Sequence, residues 1–259
     1  MSVLLETRDL ARNFGAVTAA ADINVKINAG EIVGIIGSNG AGKTTFINMV
    51  TGFLEPSSGE ILFQGKSIVG KQPRQVMRAG MCRSFQVAQL FPELSVNENI
   101  IIALSMAENK RLPFFSPLRT PKMEEKAQSV LSEYDISEYA EETVMTLPQG
   151  VRKLLDIAMA LLSGPKVLLL DEPTSGVAIE DKFDLMDTVM RAVKKSGAAI
   201  LFVEHDMDVI ARYSTRLLAF YDGRVLADGP TSQVIRDEKV QKLVIGHHLD
   251  LDKLEALNA

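Results

Sequence analysis

One nonapeptide constrains this chain more than any other stretch: Gly37-Ser38-Asn39-Gly40-Ala41-Gly42-Lys43-Thr44-Thr45. It lies between an apolar run, Glu31–Ile36, and Phe46–Val50, so the local order reads strand, glycine loop, helix. The spacing is Gly-x-x-x-x-Gly-Lys-[Ser/Thr], filled by Gly37, Gly42, Lys43 and Thr44. A loop of this kind captures an anion. Glycines let the backbone wrap a phosphate closely, and the amide N–H groups at the helix start point at it. Lys43 then reaches the β- and γ-phosphates, and the Thr44 hydroxyl suits Mg²⁺. The competing reading is an ordinary glycine turn before a helix. It weakens with each further phosphate-handling group that follows in order.

Composition bounds what such a loop can belong to. The 259 residues suffice for one large α/β domain or two small ones. With 46% hydrophobic and 24% charged residues, the chain can bury a sizeable core. A formal net charge of −5 argues against nucleic-acid binding through bulk positive charge. The single cysteine, Cys82, has no partner for a disulfide or a zinc cluster, so a reducing compartment fits, and a small buried hydrophobe is the expected role. The N-terminus, MSVLLETRDLARNF, lacks the pattern of a signal peptide. No apolar run approaches the ~20 residues that span a bilayer; any membrane role is played from outside the lipid.

Along the chain, Val3–Thr7 and Ala20–Ile27 read as strands, with the turn Asn28-Ala29-Gly30 leading to the glycine-loop strand. Short strands follow at Glu60–Phe63 and Lys66–Ile68. Ser95 and Glu98 form a capping-box signal for a helix to about Met106. Residues 109–121 hold Pro113, Pro117 and Pro121, with Phe114 and Phe115 between, and read as irregular. Helices are expected at Lys122–Tyr134, Ser137–Val144 and Val151–Leu162. Lys166–Leu170 and Ala198–Val203 read as buried parallel strands. Between them, Ile179–Lys195 is amphipathic, with Ile179, Phe183, Met186, Met190 and Val193 on one face. Arg216–Tyr221, Asp222-Gly223 and Arg224–Ala227 spell a hairpin, and Thr231 is expected to cap the next helix. The expected organisation is a single domain, 1–259, with a helical insertion at 87–163 and a helical tail at 230–259.

Further phosphate-handling groups do follow. Val167–Asp171 is an apolar strand ending in an acid, followed by Glu172. A carboxylate at such a strand end can hold Mg²⁺, and its neighbour can polarise an attacking water. His205 follows the Ala198–Val203 strand, on the side of the sheet where ligands bind. Gln86, in Ser84-Phe85-Gln86, could ligate Mg²⁺; a surface glutamine is the plainer reading. Phe14 could stack on an adenine ring or simply fill the core. His247-His248 reads as a solvated turn.

Phe14, Gly37–Thr45, Gln86, Leu147–Arg152, Val167–Glu172 and His205, in that order, resemble an ATP-binding cassette (ABC) ATPase over nearly the whole chain. The resemblance implies a P-loop NTPase core with a mainly parallel sheet, an N-terminal antiparallel β layer and an α-helical insertion. It implies ATP and Mg²⁺ as cofactors. Phe14 becomes the adenine contact, Gln86 the metal-sensing glutamine, Asp171 the metal-site acid, Glu172 the catalytic glutamate and His205 the switch histidine that senses the γ-phosphate. The implied partners are a second ABC ATPase subunit, transmembrane permease subunits and, indirectly, a solute-binding protein. No nucleic acid is expected. The implied location is cytoplasmic, peripheral on the inner face of the cell membrane. Arg83-Ser84-Phe85-Gln86 and Val203-Glu204-His205-Asp206-Met207 look most like ATP-binding subunits of branched-chain amino acid importers. A nucleic-acid-associated or translational ABC ATPase and a turnover-poor regulatory module are the alternatives.

Two segments depart from the family pattern. The signature loop, usually Leu-Ser-Gly-Gly-Gln, here reads Leu147-Pro148-Gln149-Gly150-Val151. The usual Gly-Leu-Asp is Gly176-Val177-Ala178. In this family each signature loop completes the ATP site of the other cassette. Two readings stay open: this chain gives its partner a weaker closing surface, or Pro148 is a tolerated variant. Phe114 and Phe115 either touch a permease coupling helix or pack within the helical layer.

Overall fold

The computed structural model describes residues 2–84, 90–108 and 118–246. Gln86, Phe114, Phe115, His247 and His248 lie outside the described residues.

Two sheets form the frame. The first is antiparallel, order β2-β1-β4-β5, built from β1 (Val3–Phe14), β2 (Val17–Asn28), β4 (Ser58–Phe63) and β5 (Lys66–Ser67). The first two strands run longer than their alternation indicates, because β1 continues past Asp9, which takes φ 45° beside a shift in register. The second sheet has six strands in the order β10-β9-β3-β8-β7-β6. These are β3 (Ile32–Gly37), β6 (Met81–Ser84), β7 (Val167–Asp171), β8 (Ala199–Val203), β9 (Arg216–Tyr221) and β10 (Arg224–Pro230). All neighbours pair in parallel except β9 and β10, which form the hairpin marked by Asp222-Gly223.

Both faces of this sheet are covered, and the central strands show it. In β7, Leu168 and Leu170 face the core shared with the helices, while Val167 and Leu169 face the core shared with the antiparallel layer. Every side chain of a strand buried on both faces is apolar, so alternation vanishes from the sequence.

Helices α1 (Lys43–Val50), α2 (Pro73–Ala79), α3 (Val96–Ala107), α4 (Pro121–Glu133), α5 (Gln149–Leu162), α6 (Lys182–Ser196) and α7 (Met207–Tyr213) complete the frame. The capping box of α3 forms in both directions: Glu98 N–H donates to Ser95 Oγ at 3.2 Å, and Ser95 N–H to Glu98 Oε2 at 2.8 Å. Gly197 closes α6 in the left-handed conformation. Cys82 is a buried free thiol, as its isolation in the sequence indicates.

Three local expectations are corrected. Residues 137–144 do not form a helix; two 3₁₀ turns, Ser137–Tyr139 and Val144–Thr146, replace it. The backbone there is spent on α3, where Val96 N–H donates to Glu142 O and Asn97 N–H to Ala140 O. Ile179 is 76% exposed rather than on the buried face of α6, because a separate 3₁₀ turn, Ile179–Asp181, turns it outward. Thr231 does not cap the following short helix, Thr231–Val234. Its buried hydroxyl donates to Ser214 O at 2.8 Å instead.

Candidate active site

Strands β3, β8 and β7 are parallel neighbours, with Ile35 beside Val203 and Val203 beside Asp171. Their C-terminal ends therefore share one edge of the sheet. The glycine loop leaves β3 there. Gly37 and Gly42 are required by backbone contacts. A Cβ at Gly37 would stand 2.7 Å from Phe220 O, and one at Gly42, where φ is 99°, 2.8 Å from Ala19 O. Lys43 folds back over the loop, its Nζ donating to Gly37 O at 2.5 Å and Ser38 O at 3.1 Å. Burial pushes the pKa of this ammonium down, and the carboxylates of Glu172 and Asp171 oppose that shift. An arriving phosphate would neutralise a charge that two carbonyls only solvate.

A cleft of about 300 Å³ opens at this edge, lined by Ala19, Asn39, Gly40, Ala41, Gly42, Lys43, Thr44, Thr45, Asp171, Glu172, Val203 and His205. Residues 130 positions apart in the chain thus line one cavity. Glu172 takes φ 50°, rare for a residue with a Cβ, and its N–H donates to Val203 O at 3.0 Å. The reversal leaves its carboxylate Oε1 3.2 Å from Nε2 of His205, whose side chain is half exposed at the cleft.

Several groups that the sequence left without a role frame these. Arg83, at the end of β6, donates Nη2 to Asp171 Oδ2 and Nη1 to Asn48 Oδ1 of α1, each at 2.6 Å. Glu204 is buried; its Oε1 accepts from Thr174 N–H and hydroxyl at 2.8 and 2.7 Å, and its Oε2 accepts from His205 N–H at 3.1 Å. Lys153, on α5, is buried and donates to the Glu172 carbonyl at 2.6 Å. One signal for it was available: Lys153, Ile157 and Leu161 fall at i, i+4 and i+8, the spacing of a buried helix stripe.

Not every expected residue meets at the cleft. Phe14 is half exposed, which excludes the core reading, but it does not line the cavity; the Arg12 guanidinium stands 4.7 Å from its ring centroid. Leu147, Pro148, Gln149, Gly150 and Val151 also lie elsewhere, at the start of α5. There they neighbour Gly176, where a Cβ would stand 3.4 Å from Gln149 Cγ. Pro148 is the N-cap residue and offers no side-chain acceptor to the helix amides.

This arrangement can be set beside known proteins. The family described as ABC transporter matches residues 20–175, more than half of the chain. The chain belongs to the ABC transporter family. A probable branched-chain amino acid transport ATP-binding protein LivG of Methanocaldococcus jannaschii is 32% identical to it, covering 94% of this chain and 97% of that protein. The high-affinity branched-chain amino acid transport ATP-binding protein BraF of Pseudomonas aeruginosa is also 32% identical, over 94% and 98% of the two chains. A solved ADP conformation of an ATP-binding cassette of an ABC transporter superposes with a TM-score of 0.82 at 31% identity, over 95% of this chain and all of that one. A nucleotide-free cassette gives 0.80 at 30% identity. The cassette is therefore an ATP-binding subunit of an ABC transporter, with ATP hydrolysis coupled to transport. Among its described residues no helix is long and apolar enough to cross a membrane.

Proposed function

We propose that this cassette powers import of branched-chain or related hydrophobic amino acids, and that Glu172 and His205 carry the hydrolytic step. One observation carries the chemistry. The Glu172–His205 pair, 3.2 Å apart, closes a cleft whose floor is the phosphate loop. The loop amides and Lys43 would hold the β- and γ-phosphates. Glu172 would orient and polarise the attacking water, and His205 would contact the γ-phosphate. Such catalysis is mostly positioning and charge stabilisation.

Thr44 and Asp171 both line the cleft, and their hydroxyl and carboxylate oxygens fit Mg²⁺, which takes few protein ligands and leaves positions for phosphate and water. They would hold the ion with Gln86, and the ion would neutralise charge on the transferring phosphoryl group. Among the described residues no cluster of three His, Cys, Asp or Glu side chains offers an all-protein metal cage.

The cassette would act in a pair, with its own cleft closed by the other subunit's signature loop. Supporting this, residues 147–151 are absent from its own cleft, and Gln149 and Gly150 pack against Gly176 and Val177 instead. Within the single domain, 87–163 would serve as the helical subdomain facing a permease and 230–259 as a C-terminal appendage. The place of work would be the cytoplasmic face of the membrane. The LivG and BraF relatives support the solute class.

The test is purification of the assembled transporter, reconstitution in vesicles, and ATPase assay with candidate loaded binding proteins. Stimulation and uptake with branched-chain amino acids, both lost in Glu172→Gln, are expected. Stimulation only by a chemically unrelated solute would overturn the solute class. Turnover at the wild-type rate in Glu172→Gln would overturn the site.

A further inference from the structure

Glu172 is held by its peptide as well as by its side chain. Its N–H is tied to Val203 O at the end of β8, and its carbonyl accepts from Lys153 Nζ at 2.6 Å. With φ at 50°, the residue sits in a sparsely populated backbone region that persists only where the surroundings enforce it. Lys153 is 3% exposed, and bringing an ammonium to that position costs solvation. Burial indeed pushes its pKa down, while Glu204, Glu172, Asp156 and Asp171 oppose the shift. Its hydrogen-bond acceptor is nevertheless a neutral carbonyl, the one belonging to the residue whose side chain faces His205.

The far side of the same turn is pinned separately. Glu204 binds both the N–H and the hydroxyl of Thr174, two residues past Glu172, and the N–H of His205. The Glu172 peptide thus lies between an anchor from α5 and an anchor from β8. Only the first belongs to an element that carries a loop expected to meet another subunit. Lys153 is the fifth residue of α5, two positions after residues 147–151.

We propose that Lys153 is a positioning residue for hydrolysis: it holds the Glu172 peptide so that the carboxylate meets its water, and it couples that position to α5. A shift or rotation of α5 on closure of the pair then moves Glu172 as well as the loop. Docking at one end of the helix is thereby communicated to the chain's own cleft, with no contact between the two loops required. This rests on the reading of Glu172 as the water-polarising group.

The test uses the assembled transporter. Lys153→Met removes the donor, and Lys153→Arg restores one together with the charge. Because a misplacement of about 1 Å can cost 10²-fold, Lys153→Met should lower kcat by roughly ten- to hundredfold, with the KM for ATP within about twofold of wild type. Lys153→Arg should recover a substantial part of the loss. In the Glu172→Gln background, Lys153→Met should leave the Kd for ATP unchanged. A lysine that merely balances buried acids gives a different pattern: ATP affinity and thermal stability fall together with kcat, and Lys153→Arg restores all three alike. That pattern overturns the proposal, as does a Lys153→Met kcat within twofold of wild type while Glu172→Gln is inactive. If Lys153→Met fails to assemble, the Lys153→Gln variant, polar but neutral and one bond too short to reach the Glu172 carbonyl as lysine does, is read by the same criteria. Normal turnover in Glu172→Gln overturns the reading of Glu172 and this proposal with it, so the two failures are distinguishable.

Discussion

Arg83 and Asp171 form a partly buried ion pair, Nη2 to Oδ2 at 2.6 Å, between the ends of adjacent parallel strands. The same guanidinium holds Asn48 of α1, so one side chain ties the helix that follows the phosphate loop to the acid expected at the metal. Removing one partner of such a pair leaves the other charge poorly compensated, at a cost of about 1–3 kcal/mol. Arg83→Met should therefore destabilise the cassette by about that amount in urea unfolding. Arg83→Lys keeps the charge but cannot fork to both partners, and should recover only part of the loss. A Met variant as stable as wild type would show that Asp171 is oriented by other groups.

Lys43 makes the opposite case, a charge that waits for its partner. In the free protein it donates to two loop carbonyls while burial holds its pKa below the ordinary 10.5. A lysine whose folded-state pKa is depressed contributes a destabilising term below that pKa, and the term fades as pH rises toward 10.5. Lys43→Met should consequently unfold at the same temperature as wild type or slightly higher without nucleotide. The stabilisation by ATP, about 2.7 kcal/mol at a hundredfold excess over Kd, should disappear. Thermal scans with and without ATP check both halves; a large loss of stability without nucleotide would contradict the first.

Asp206 supplies a pH dependence. Its Oδ1 accepts from Asp208 and Val209 N–H to cap α7, and its Oδ2 accepts from Lys182 Nζ at 2.8 Å. Burial pushes its carboxyl up, but Lys182 and the two amides outweigh that and hold it below the usual 3.8. A depressed carboxyl stabilises the fold above the unfolded value of 3.8, and that stability is lost as pH falls through the folded value. Asp206→Asn keeps a good cap and loses the ion pair, costing about 0.5–1 kcal/mol for a partly exposed pair. Asp206→Ala should cost about 1 kcal/mol more. In denaturant titrations the gap between wild type and Asp206→Asn should be constant near neutrality and close below pH 3.8. A gap that persists in acid would mean that Asp206 acts only as a cap.

What the sequence made legible was what is local or repeated by rule. The phosphate loop, the Ser95–Glu98 capping box and the Asp222-Gly223 hairpin each carry their physics within a few residues. Strands β7 and β8 were legible because burial on both faces removes every polar side chain. The 137–144 segment departs from its helical spacing because its carbonyls serve α3, a partner more than 40 residues upstream. Ile179 departs from the apolar face because a 3₁₀ turn breaks the helical phase that the spacing continues. At the cleft, Asp171, Glu172 and His205 stood out as polar residues ending apolar strands. Arg83, Lys153 and Glu204 did not, since a buried charge acquires meaning only from a neighbour that the fold supplies.

Pro148 allows the asymmetry of the pair to be tested in trans. It caps α5 with φ −55° and ψ 151°, an extended conformation that serine adopts freely. Pro148→Ser would add a hydroxyl for the facing γ-phosphate. It would also gain a cap of about 1 kcal/mol and lose a comparable stabilisation from proline's restricted unfolded chain. Stability should therefore hardly change. Where the partner is a different cassette, the informative background is Glu172→Gln, which silences the cleft of this cassette and leaves any residual turnover to the partner's. If Pro148 weakens the surface given to the partner, Pro148→Ser in that background should raise residual ATPase severalfold in the assembled complex. The same substitution in the otherwise unaltered chain should matter less, because the intact cleft would dominate. No rise in the Glu172→Gln background would mean that Gly150 and the helix amides already close the facing site adequately, and that proline is tolerated at the cap.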